Sequence, residues 1–198
     1  MDANAHLPVS ARLDAALRAE LAAGERIIWS ARPDPRRMLG VLWAWLFAIP
    51  WTLFSLVWIG VASIAFVSGA TGDAPDFSWW FIAMPLFGVP FVAIGFWMLW
   101  QPVAALLDAG QQIHGLTNLR LMTLTLRNGK RVVSADVAKM GPVKRKEKAD
   151  GWGSISIETG SHVDSEGDRI TDTFHIAAIP AVAKLEHLLR DAQAARKI

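Results

Sequence analysis

Two long apolar runs interrupt a chain that is otherwise mixed in polarity. The first, Met38–Val67, has no charged residue in 30 positions, and the second, from about Trp79 to Leu107, is also uncharged. A helix needs about 20 apolar residues to cross a hydrocarbon core near 30 Å. Both runs therefore predict spanning helices, over about 39–67 and 79–107. Residues 41–67 hold 14 Leu, Ile, Val or Phe. At roughly −0.3 to −0.6 kcal/mol each, these favour insertion by about 4–8 kcal/mol before polar terms.

Before the first run, Leu13, Leu17 and Leu21 recur every four residues. That spacing predicts a short amphipathic helix over 10–23, capped by Ser10 and stopped by Gly24. Glu25–Ala31 reads as a strand closed by Pro33 and Pro35. A single strand cannot stand alone, so it is expected to pair with a sheet downstream of the apolar runs.

After Asp108 the pattern changes from helical to alternating. Strands are predicted over Gln111–Gly115, Leu119–Arg127, Lys130–Ala135, Pro142–Lys148, Gly153–Thr159 and near Arg169–Ile176. Met122, Leu124 and Leu126 share one face, opposite Thr123 and Thr125. Asn128-Gly129 predicts a tight hairpin with both central residues at positive φ. Asp150-Gly151 predicts a second turn, and Gly160–Asp168 a polar loop. Pro180 suits the first turn of a closing helix, about 180–196, with Val182, Leu185, Leu188, Leu189 and Ala192 on one face. The count is about seven strands and one C-terminal helix, an antiparallel barrel or bent sheet capped by that helix. The organisation is 1–37 (helix and first strand), 38–107 (hairpin) and 108–198 (rest of the sheet domain).

Composition sharpens the membrane reading. Apolar residues are 53% and charged residues 19% of the chain, and no Lys or Arg occurs in the 82 residues between Arg37 and Arg120. Nine of the ten tryptophans lie at or before Trp100. Trp43, Trp45, Trp79, Trp80, Trp97 and Trp100 mark the ends of the spans, as interfacial aromatics do. Arg36 and Arg37 flank the first span, and Arg120, Arg127, Lys130 and Arg131 follow the second. The connecting segment Ser68–Ser78 carries only Asp73 and Asp76. Basic flanks stay on the cytoplasmic side, so both termini are expected in the cytoplasm. The apolar run is too long, and begins too late, for a cleaved signal core. Neither span holds an ionisable residue, which argues against a proton-coupled transporter or an intramembrane protease.

The net charge is only +2, so no nucleic-acid partner is expected. Absence of cysteine removes a disulfide framework, a thiolate zinc site and a cysteine nucleophile. Histidines 6, 114, 162, 175 and 187 have no metal-ligand spacing. Ser161-His162-x-Asp164 is too local for a triad. His162–Thr173 lacks the first and last ligands of a calcium loop. No catalytic residue, metal or cofactor is expected.

Several ordered segments together resemble the bacterial pleckstrin-homology-like membrane proteins of the two-transmembrane-helix type. Leu21-x-x-Gly24-Glu25-x-x-x-Trp29 with Pro33 precedes the hairpin. Ile113-His114-Gly115-Leu116-Thr117-Asn118-Leu119-Arg120-Leu121 is similar to the family's segment after it. Asp150-Gly151-x-Gly153-Ser154-Ile155 resembles the later turn and strand. Phe174-His175-x-x-x-Ile179 and Val182-x-x-Leu185-Glu186-x-Leu188-Leu189 resemble the closing strand and helix. The resemblance covers about residues 21–192. His114-Gly115 departs from it, standing where the family has an aromatic followed by Ala. The resemblance implies a pleckstrin-homology-like domain at the bacterial inner membrane, and it implies no reaction.

One charged cluster remains. Lys144-Arg145-Lys146-Glu147-Lys148 holds four cations in five positions, and strand alternation puts Lys144, Lys146 and Lys148 on one face. With Arg120, Lys144, Arg145, Lys146 and Lys148 are the candidates for binding lipid or a partner. The leading expectation is a non-catalytic module that binds a protein partner or forms homo-oligomers beside the bilayer. An anionic-lipid docking module using Lys144–Lys148 is the alternative, and an accessory subunit of a transport or enzyme complex is the third.

Overall fold

The computed structural model describes residues 7–71, 80–163 and 169–196. The chain divides into two compact units, Met1–Met38 with Leu106–Ile198, and Leu39–Ala105.

In the apolar unit, 3-10 turns over Pro35–Ala44 lead into α2 (Trp45–Thr71), and α3 (Trp80–Ala109) follows. Two segments, Pro35–Ser68 and Ala83–Ala109, are long and apolar enough to cross a membrane. The first α-helix begins at Trp45, not near residue 39. Gly40 is the poorest helix former in the stretch it replaces, and 3-10 turns are frequent at helix N-termini. Part of the predicted connecting loop, 72–78, lies outside the described residues.

The two helices meet through small side chains. Ala48, Thr52, Ser55 and Ala62 are buried on α2. Gly88 and Gly95 of α3, seven residues apart, lie against Ile59 and Thr52 respectively. Small residues let apolar helices approach closely where lipid supplies no hydrophobic drive between them. The Thr52 and Ser55 hydroxyls donate to the Ala48 and Trp51 carbonyls at 2.7 and 2.8 Å, so neither is left unsatisfied. Trp45 and Trp51 donate their indole N–H groups to the Leu99 and Phe91 carbonyls at 3.1 Å, pinning one helix to the other.

The other unit opens with α1 (Val9–Ala19) and β1 (Ile27–Ala31). After the hairpin come β2 (Gln112–Thr117), β3 (Arg120–Thr125), β4 (Arg131–Asp136), β5 (Val143–Glu147), β6 (Gly153–Val163), β7 (Arg169–Ile179) and α4 (Val182–Arg196). β1 pairs antiparallel with β2, Ile27 opposite Thr117 and Ala31 opposite His114. The strand before the hairpin thus joins the sheet after it.

The seven strands form two sheets, β1-β2-β3-β4 and β5-β6-β7. They do not close into a barrel. Asp136 ends β4 by accepting the Ala138 N–H and capping a 3-10 turn over Val137–Lys139, and Pro142 then precedes β5 without a donor. α4 buries Val182, Leu185, Leu189 and Ala192 in a core with Leu116 and Leu121 of the first sheet and Ile155, Ile157, Phe174 and Ile176 of the second. The other face of the first sheet is covered by α1, where Leu13 and Leu17 meet Ile113, Met122 and Leu124. β3 therefore buries both faces, which its simple alternation did not indicate. Gly115 makes room for this layer, since a Cβ there would lie 2.9 Å from a methyl of Leu17.

Five local expectations are corrected. Ser10 does not cap α1; Pro8 is the N-cap, and the Ser10 carbonyl accepts instead from Arg32 at 3.0 Å. α1 stops at Ala19, and Gly24 (φ 78°) serves the following turn. In the β3–β4 connection only Gly129 has positive φ, so the turn is not the two-residue type; it spans residues 126–130, and Arg127 turns aside to pair with Asp108 at 2.9 Å. The polar loop is shorter than Gly160–Asp168, because β6 runs to Val163 past an irregularity between Glu158 and Gly160. α4 begins at Val182, after Ala181 in a left-handed conformation (φ 50°), rather than at Pro180.

Candidate functional site

Arg120 is spent inside the fold. Its Nε donates to Glu25 Oε1 at 2.9 Å, and its Nη2 donates to Glu25 Oε2 at 3.1 Å and to the Glu20 carbonyl at 2.7 Å. The Thr117 hydroxyl also donates to Glu25 Oε1 at 2.7 Å, and the Ala22 N–H donates to Oε2 at 2.8 Å. Asn118 Oδ1 accepts the Arg26 N–H at 2.9 Å. The Thr117-Asn118-x-Arg120 segment is thus a clasp on the chain ahead of the hairpin. Four donors converge on one fully buried carboxylate. The Arg120 guanidinium, first among them, holds the Glu25 carboxyl down to about 2, and Glu25 in return raises Arg120.

The Asp150-Gly151-x-Gly153 turn is a second structural device. Gly151 has φ 76°, and its carbonyl accepts the first N–H of α4, Val182, at 3.3 Å. A Cβ on Gly153 would overlap the Lys146 carbonyl and come within 2.9 Å of Val182 Cγ1. Asp150 accepts from the Trp152 N–H at 3.2 Å and pairs with Arg37, whose guanidinium also lies 4.2 Å from the Trp152 ring centroid. The hydrogen bond from Arg37, and after it the one from the Trp152 N–H, holds the Asp150 carboxyl below its usual range. Arg37 was expected as an interfacial anchor; the structure adds that it grips this turn. Nothing in the sequence signals a pairing of residues 113 positions apart.

The structure sorts the basic cluster. β5 pairs only with β6, so it is an edge strand. Val143 packs against the core, and alternation places Arg145 and Glu147 on that same side. Arg145 lies 3.4 Å from Glu147 and 3.3 Å from Glu186 of α4. Lys144 lies 3.3 Å from Glu158. Lys146 and Lys148 are exposed, and no carboxylate among the described residues pairs with either. The candidates therefore do not form one five-residue patch.

His114 is buried, with Nδ1 2.8 Å from the Thr123 hydroxyl. Burial, and secondarily the charge of His175, pushes its pKa down to about 4, so it is neutral at pH 7. Two hollows adjoin the first sheet. One, of about 390 Å³, is lined by Gln112, Thr125, Arg127 and Arg131 among others. The other, of about 450 Å³, lies between β4 and the β6–β7 pair, with Val133, Asp136, Asp172 and Phe174 in its wall. Among the described residues, no group of three or more His, Asp or Glu could hold a metal ion. Of the expected interfacial residues, Trp43, Trp97 and Trp100 are largely exposed, Trp80 is the first residue of α3, Arg36 is exposed, and Trp79 lies outside the described residues.

No family model, curated protein or solved structure matches the chain.

Proposed function

We propose that this chain is an integral membrane protein of the pleckstrin-homology-like type, in which a two-helix hairpin tethers a cytoplasmic β-domain that serves as a non-catalytic assembly module. The observation that carries this reading is the joining of β1 to β2 and of Glu25 to Arg120, 95 residues apart, around an uncharged helical pair. Such a domain is held at two points of its own chain beside the segment that enters lipid. Four strands, three strands and a closing helix, in that order, support the pleckstrin-homology-like assignment. The charge asymmetry of the flanks supports a cytoplasmic domain at a bacterial inner membrane.

A free strand edge suits a protein contact. β4 pairs with β3 alone, carries exposed Val133 and borders the 450 Å³ hollow. A photo-crosslinking residue at Ser134 in the full-length protein, read in cells by mass spectrometry, tests the module. The expected result is one discrete protein adduct, either a second copy or another chain, that Val133→Arg abolishes. Lipid adducts only, or adducts indifferent to Val133→Arg, would overturn the reading.

A further inference from the structure

Resting on the membrane reading above, we propose that the outer face of β5, with Arg36, docks onto the anionic phospholipid headgroups of the bilayer that the hairpin crosses.

Three observations meet here. Arg37 is the last residue before the uncharged run, so it stands at the polar margin of that bilayer. The same Arg37 pairs with Asp150 and lies over Trp152, which ties the β5–β6 turn to the residue that immediately precedes the uncharged run. Lys148 opens that turn, its N–H donating to the Trp152 carbonyl at 2.8 Å. Lys146 on β5 and Lys148 just past its end are exposed and without a carboxylate partner among the described residues. Arg36, also exposed, adjoins Arg37 and has no ion pair among the described residues.

The nearby acids are already occupied. Asp150 and Asp34 face Arg37, Glu158 faces Lys144, and Glu147 and Glu186 face Arg145. What remains outward is cationic, opposite in sign to an anionic leaflet. Three cations would bind a free domain weakly. Here the tether makes docking intramolecular, and a high effective concentration lets a weak surface act. Trp152 is the one tryptophan beyond Trp100, and its ring suits the same headgroup depth.

The chain contains no cysteine, so a single Ser154→Cys label reports without background. Ser154 pairs with Lys146 in the register of β6. The full-length protein is reconstituted in nanodiscs of phosphatidylcholine, with or without one phosphatidylglycerol in three lipids, carrying a headgroup quencher. The expected result is stronger quenching in anionic discs that fades as salt rises. K146Q/K148Q should weaken the docking equilibrium about 25-fold, about fivefold for each lysine. Equal quenching in neutral and anionic discs, or none lost in K146Q/K148Q, would overturn the proposal. So would a label shielded in native membranes yet solvent-exposed in anionic discs, which would assign the face to a protein. A separate Leu56→Cys label tests the underlying reading: reaction with aqueous maleimide there would defeat the membrane assignment whatever Ser154 reports.

Discussion

Glu25, just ahead of β1, and His114, on β2, respond to acid in different ranges. His114 is pushed down to about 4 from 6.5 by burial. Its neutral form therefore contributes stability that is complete above about pH 6.5 and is lost as pH falls toward 4, about 3 kcal/mol in all. Glu25 is held at about 2 against 4.5. Its contribution is complete above about pH 4.5 and is lost as pH falls toward 2, again about 3 kcal/mol. Thermal melts of the intact protein across pH should show two successive losses. His114→Asn is expected to remove the first and Glu25→Gln the second. A single loss unaffected by His114→Asn would contradict the buried neutral imidazole. In the sequence Arg120 stands among the cations that could bind lipid or a partner; the carboxylate it holds, Glu25, lies on the far side of the hairpin, where no local pattern reveals it.

Among elements, those with strong local patterns were legible. The apolar runs are marked by their length, and the alternation after Asp108 and the apolar stripe of α4 carry their periods in the sequence; these elements form where expected, although the first apolar α-helix starts at Trp45 rather than near residue 39. What alternation could not show is how strands group. Whether seven strands close or split depends on Asp136 capping a 3-10 turn and on Pro142, which are contextual choices. Likewise β3 reads as one-sided, yet α1 and the second sheet bury both of its faces. Gly153 shows why a motif glycine was legible only in kind. In the sequence it stands only as part of a turn-and-strand motif, and its constraint in the structure is the approach of the β5 backbone and α4. Gly153→Ala must displace the Lys146 carbonyl, so it is expected to cost about 2–3 kcal/mol or more, as overpacking does. Gly129→Ala meets open space but a left-handed backbone (φ 96°), and should cost about 1–2 kcal/mol. Melting points of the two variants, compared with the parent, check the order. The basic cluster was read as a run of like candidates; ion pairs to Glu158 and Glu186, invisible in one dimension, divide it into occupied and free cations.

At the scale of the whole molecule, the chain is one β-domain with a helical pair inserted between its first two strands. The core of the domain is drawn from both sides of that insertion but not from the insertion itself. Replacing residues 39–105 by a flexible Gly/Ser linker is therefore expected to give a folded domain with a cooperative melt. Residues 106–198 alone should not melt cooperatively, since they lack the α1 layer over Ile113, Met122 and Leu124. Circular dichroism melts of the two chains decide the point; equal cooperativity would mean that α1 and β1 are dispensable.

The clasp between Glu25 and Arg120 also sets an order of events during synthesis. Glu25 leaves the ribosome 95 residues before its partner, and at roughly 5–20 residues per second that is a wait of about 5–20 seconds. Both apolar helices are synthesised in that interval. Until then Leu13 and Leu17 have no sheet to cover, and the carboxylate of Glu25 has no cation. A chain whose synthesis stops within the hairpin would leave the leading segment unclaimed and open to proteases. Closure of the clasp thus marks a chain that has been carried through its whole apolar segment.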